Sequence, residues 1–80
     1  NVKLIHVNAK FYCVYIGKSS WPELLGQPGD VAVATIEREN PLVTAIIVPP
    51  GTDVTGDFRC DRVWVYVDDK GNVNRVPTIG

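Results

Sequence analysis

Two short apolar, β-branched runs, TAIIV and RVWVYV, are separated by PPGTDVTGDFRCD, a stretch with no helical period that carries two prolines, two glycines and two threonines. Apolar runs of this length and residue type read as buried strands. A connection of about a dozen residues without secondary structure is unusual inside a compact domain and, where ordered, tends to carry function. The chain must therefore build a frame that keeps two strands together while a long segment leaves and returns between them.

The frame is small. Eighty residues support one domain with a thin core, a size at which a disulfide, metal or partner commonly adds stability. PGDVAVATIEREN from Pro28 carries helix-favouring residues that Asn40 and Pro41 stop, which predicts a helix over 29–39. Its faces are expected to place Val31, Ala34 or Thr35, and Arg38 on one side and Val33 and Ile36 on another. Strands are expected at about 43–48, buried on both faces, and at about 61–67. A turn at Asp68–Asn72 leads to a short returning strand near 73–76. Ser20 and Pro22 in GKSSWPELLG suit a turn or the start of a short helical piece, which Gly26 ends. The fold class is α+β: a single small domain with one helix on a small mixed sheet and a long extended loop. NVKLIHVNAKFYCVYI, residues 1–16, forms a separate segment of unassigned structure in which KFYCVYI suits an extended strand.

Most reaction chemistries lack their residues. Eight Lys and Arg against nine Asp and Glu give no field for nucleic acid or an anionic membrane. The aromatic residues have no basic groove around them and read as packing. No apolar run approaches the roughly 20 residues of a spanning helix. No signal peptide is recognisable, so a soluble molecule is expected, and residue 1 need not be where translation starts. His6 is the single histidine, so neither a Ser and His hydrolase nor a metal site is expected. Asp68 and Asp69 beside KGN read as solvated turn residues. GTDVTG is not a phosphate-binding loop. No cofactor is expected, and the chain does not read as an enzyme. Cys13 and Cys60 have no zinc-ligand spacing; by spacing alone a bridge and two reduced thiols stand equally open.

GKSSWPELLG at 17–26, IERENP at 36–41, PPGTDVT with DFRCDRVWV through 65, and the terminal VPTIG occur together in this order. In these motifs the chain resembles the potato inhibitor I family of serine protease inhibitors over residues 17–80. The resemblance implies a monomer whose loop, Thr52, Asp53, Val54, Thr55, Gly56, Asp57, Phe58 and Arg59, enters a serine protease as a substrate would, with the reactive bond between Gly56 and Asp57. It implies support from Arg62, whose guanidinium is expected to reach Asp57, Thr55 or nearby carbonyls, from Trp64, which stands where many members carry a second arginine, and from Gly80 packed behind the loop. Arg59 is expected at the exposed rim. The resemblance favours a Cys13–Cys60 disulfide, although Cys13 lies two residues farther from the tryptophan than in disulfide-bearing relatives. It also suggests a plant defence or wound-response role in an extracellular, vacuolar or storage compartment.

Gly56 departs from the family pattern, which places a sizeable side chain there to fill the protease's primary pocket. Losing a Leu-sized burial forfeits about 1.5 to 3 kcal/mol and a freer backbone roughly 0.5 to 1, or about 30- to 1,000-fold in affinity. Enzymes that require a cation or an aromatic there are expected to be poor targets. Subtilisin-like proteases, which spread recognition over several residues, and elastase-like ones, with a small pocket, are favoured. The rival reading is a homologue that keeps the fold without inhibition, as a storage, stress or interaction protein.

Overall fold

The computed structural model describes residues 18–80. Expectations for residues 1–16, including the strand in KFYCVYI, the role of His6 and the position of Cys13, lie outside the described residues. A 3-10 turn at Pro22–Leu24 precedes α1, Gly29–Glu39; two strands follow, β1 at Thr44–Val48 and β2 at Arg62–Tyr66. The strands run parallel, with Thr44 opposite Arg62, Ile46 opposite Trp64 and Val48 opposite Tyr66. A parallel pair needs a long crossover, and here residues 49–61 supply it without a helix.

Helix α1 begins directly after Pro28, whose fixed φ suits entry to a helix, and ends where the Asn40 amide donates to the Ile36 carbonyl. Its buried residues are Gly29, Ala32 and Ile36, with Val33 packed beside them. The two expected faces separate as read: Val31, Ala34 and Arg38 lie outward, and Val33 and Ile36 belong to the stripe at positions 29, 32, 33 and 36 that faces the sheet. A side chain at 29 would meet Val67 Cγ1 at 2.9 Å, so only glycine allows the helix this close to the chain end of the sheet.

The core comprises Trp21, Leu24, Ala32, Ile36, Val43, Ala45, Val63, Val65, Val67, Val73 and Ile79. On β2 the odd residues face it, and the even residues Arg62, Trp64 and Tyr66 take the opposite face, as the two-residue period of a strand requires. Trp21 is fully buried and its Nε1 donates to Glu39 at 3.0 Å. Asn40, also buried, donates through Nδ2 to the Lys18 carbonyl at 2.9 Å and accepts the Leu42 amide at 3.1 Å. One side chain thus fixes both the end of α1 and the path of residue 18.

Two expectations for the sheet fail. Strand β1 is not buried along both faces: Ala45 and Val48 are buried, whereas Thr44, Ile46 and Ile47 are exposed, and because consecutive residues alternate, Ile46 and Ile47 leave each face only partly covered. The returning strand at 73–76 is reduced to a bridge between Val67 and Val73, with Asn72 bridging to Pro28. The Val73 amide donates to the Gln27 carbonyl, and after Asn74, whose amide donates to the Tyr66 carbonyl of β2, the chain leaves the sheet. It comes back at Ile79, which bridges Val63 on the other edge of β2 from β1 and gives the sheet its mixed character. The turn at 68–72 is as expected, but Asp68 organises it: its Oδ1 accepts the amides of Lys70 at 2.9 Å and Asn72 at 3.0 Å, and Gly71 takes a positive φ of 84°. These amides hold the Asp68 carboxyl below its ordinary pKa. Asp69 is exposed.

Candidate functional site

The long crossover starts with a turn in which the Thr52 amide donates to the Pro49 carbonyl at 3.3 Å and Gly51 adopts a φ of 78°. From Asp53 to Arg59, no backbone–backbone hydrogen bond forms among the described residues. Val54 is half-buried and every other residue from Thr52 to Arg59 is exposed. A segment of this kind holds one shape only if side chains brace it.

The brace rises from the first residue of β2. Arg62 is 7% exposed, and a buried guanidinium is tolerated only where its donors are matched. Its Nη2 donates to the Asp57 carbonyl at 2.7 Å, and its Nη1 lies 3.4 Å from Thr55 Oγ1 and 3.5 Å from Asp57 Oδ1. Its Nε donates to the Gly80 carbonyl at 2.9 Å. The guanidinium also stacks on the Trp64 ring, 4.3 Å from the centroid, a cation–π contact that holds the plane of the fork. Thr55 and Asp57 are thus gathered on one group, with Gly56 between them.

The Asp57 carboxyl is held below its ordinary pKa, first by a hydrogen bond from the Thr55 side chain and then by the charge of Arg62. The loop side chains are therefore joined to each other as well as to the strand. Gly56 has a φ outside the positive region, and a Cβ built on it meets nothing within 4 Å. A side chain at this position would enter open space.

Beyond Asp57, Phe58 is 60% exposed, and a Cβ placed on Gly80 would lie 3.4 Å from its ring. Arg59 is exposed, as expected, and makes a bidentate pair with Asp61, Nε to Oδ1 at 3.0 Å and Nη2 to Oδ2 at 3.1 Å. The pair raises the pKa of Arg59 and lowers that of Asp61. The seat of Phe58 against Gly80 has no signal in residue types, whereas the i, i+2 charge alternation in RCD is a signal for the Arg59–Asp61 pair. Cys60 is half-buried and is not a free thiol. The pairing with Cys13 falls outside the described residues.

Fold and loop together define a class of small scaffold: a helix and a parallel strand pair that carry one extended, externally braced segment. The sequence profile described as the potato inhibitor I family matches residues 13–80, and the chain belongs to that family. A protein of Momordica charantia named "Glu S.griseus protease inhibitor" is 59% identical over 64 residues, 80% of this chain and 94% of that protein. The "Trypsin/subtilisin inhibitor" of Amaranthus caudatus is 54% identical over 63 residues, covering 79% of this chain and 91% of its own length. Among solved structures, the bitter gourd trypsin inhibitor superposes with a TM-score of 0.78 at 58% identity, covering 81% of this chain and 96% of that one. The family's members are protease inhibitors rather than enzymes.

Proposed function

We propose that the protein inhibits serine proteases by substrate-like insertion of the segment from Thr52 to Arg59, with Gly56–Asp57 as the reactive bond. One observation carries this reading. Arg62 holds Thr55 on the acyl side of that bond and Asp57 on the leaving-group side, so a cut between them leaves both new ends tied to one guanidinium. Ends that cannot separate rejoin readily, and a segment ordered before docking loses little entropy on binding. Trp64 supports the loop through Arg62, and Gly80 through its carbonyl and its contact with Phe58. A Cys13–Cys60 disulfide would tie the leaving-group side to the amino-terminal segment as well.

The relatives' names speak for serine proteases of several kinds, including trypsin and subtilisin. For this chain, Gly56 favours subtilisin-like or elastase-like targets, since it offers nothing to a deep primary pocket. The test is an inhibition titration of subtilisin and pancreatic elastase with the parent and with Gly56→Leu, together with the rate of cleavage after residue 56. Open space around Gly56 lets leucine enter without distortion, so a gain of about 30-fold or more is expected. Digestion of both proteins without inhibition would overturn the reading in favour of a non-inhibitory homologue.

A further inference from the structure

We propose that Phe58, rather than the residue at the reactive bond, is the principal anchor of the loop, and that the protease it fits has a shallow primary pocket and an apolar pocket on the leaving-group side. This rests on the inhibitory reading above. In an extended segment successive side chains alternate faces. Thr55 and Asp57 both turn inward to Arg62, which leaves positions 56 and 58 facing outward. Position 56 has no side chain. Val54, on the same side by the same alternation, is already half-buried, so Phe58 is the outward residue with most apolar area left to bury, and at 60% it is the most exposed of the large hydrophobic residues described.

An exposed aromatic contributes to binding in proportion to how little order it loses when docked. Phe58 has only two side-chain torsions, and its ring rests against Gly80 so closely that an added Cβ would lie 3.4 and 3.6 Å from two ring carbons. Gly80 is itself fixed, donating its amide to the Arg62 carbonyl at 2.8 Å and accepting from Arg62 Nε at 2.9 Å. The group that braces the reactive bond thus also sets the seat of the ring. The neighbouring Arg59 has its charge matched by Asp61, so the ring, and not a free cation, is what this side of the loop presents.

The test places Phe58→Ala in both the parent and the Gly56→Leu backgrounds, with Val31→Ala, which trims an exposed apolar residue of α1 outside the loop, as control. Inhibition constants are measured against subtilisin and pancreatic elastase. For whichever enzyme the parent inhibits, Phe58→Ala weakens binding about 10- to 30-fold in both backgrounds, and Val31→Ala leaves it unchanged. Gly80→Ala, which crowds the ring, weakens binding more in the presence of Phe58 than in the Phe58→Ala background, since part of its effect acts through the ring. A change of less than threefold for Phe58→Ala would overturn the proposal while leaving the inhibitory loop intact. So would inhibition by Gly56→Leu alone, with none by the parent. If neither protein inhibits and both are digested, the inhibitory reading itself fails and the anchor with it.

Discussion

Arg62 and Gly80 hold each other in opposite senses: the Gly80 amide donates to the Arg62 carbonyl at 2.8 Å, and Arg62 Nε donates to the Gly80 carbonyl at 2.9 Å. The first bond fixes where the chain end lies against β2, and the second uses that end to fix the guanidinium. With Nε committed to Gly80, both Nη groups are left for the loop. The long crossover is thereby braced by contacts from two places far apart in sequence, although it has almost no hydrogen bonds of its own.

Arg62→Lys keeps the charge but not the fork, and a single ammonium cannot serve Gly80, Thr55 and Asp57 together. Each charge-assisted bond contributes about 1.5 to 3 kcal/mol. The variant is expected to inhibit about 10- to 100-fold more weakly and to be cleaved after Gly56 as an ordinary substrate. Mass spectrometry during incubation with protease checks this: an uncut variant with unchanged inhibition would remove Arg62 from the brace.

Asp57 gives the loop a defined response to acid. Its folded-state pKa lies below the ordinary 3.8, owing first to the Thr55 hydrogen bond and then to Arg62. Its contribution is therefore complete above about pH 4 and is lost as pH falls through the lower folded-state value. Asp61 and Asp68 are shifted the same way, so the readout must be specific to the residue. In an NMR titration the Asp57 carboxyl carbon is expected to have a midpoint below that of a loop peptide, and Thr55→Val to move it upward. A midpoint equal to the peptide's would mean that the network does not hold in solution.

Two loop glycines should respond oppositely to the same substitution. Gly56 has no positive φ and open space at its Cβ, whereas Gly51 has a φ of 78°. Gly56→Ala is expected to stabilise by about 0.4 to 1 kcal/mol through the unfolded chain, and Gly51→Ala to cost about 1 to 2 kcal/mol of left-handed strain. Urea denaturation midpoints decide the matter, and equal shifts for both would contradict the assigned backbone.

Asn40 uses its amide as a donor to Lys18 and its oxygen as an acceptor from Leu42. Asn40→Asp keeps the shape and the acceptor but turns a carboxylate oxygen toward the Lys18 carbonyl. A loss of about 1 to 3 kcal/mol is expected, or a fall in Tm of several degrees per kcal/mol for a domain of this size. Thermal unfolding near neutral pH measures it, and an unchanged Tm would show that this buried asparagine is not holding residue 18.

Helix bounds were legible because Pro28 and the Asn40–Pro41 pair punctuate the chain at both ends, and the loop because nothing periodic lies between Pro49 and Asp61. The two sides of α1 were also legible, Val31 falling apart from Val33 and Ile36, but which side meets the sheet was left open because both carry apolar residues. The exposure of Ile46 and Ile47 was missed because a β-branched run looks the same whether its faces are covered fully or only in part. At the site, Arg62 was identified with its loop partners through the family resemblance. Its bond to Gly80 and the seat of Phe58 arise from how distant backbone segments meet, which residue types do not encode, whereas the Arg59–Asp61 pair is local and was signalled by the charges in RCD.

The vacancy around Gly56 separates two kinds of heredity in this molecule. The side chains that brace the loop stand at 55, 57, 62 and 64, joined by the backbone of residue 80, whereas a Cβ at 56 would meet nothing within 4 Å beyond its own chain neighbours. If Gly56 is the reactive-bond residue, as proposed above, substitutions there leave the brace untouched, and the residue offered to a protease can change one codon at a time while the architecture stands still.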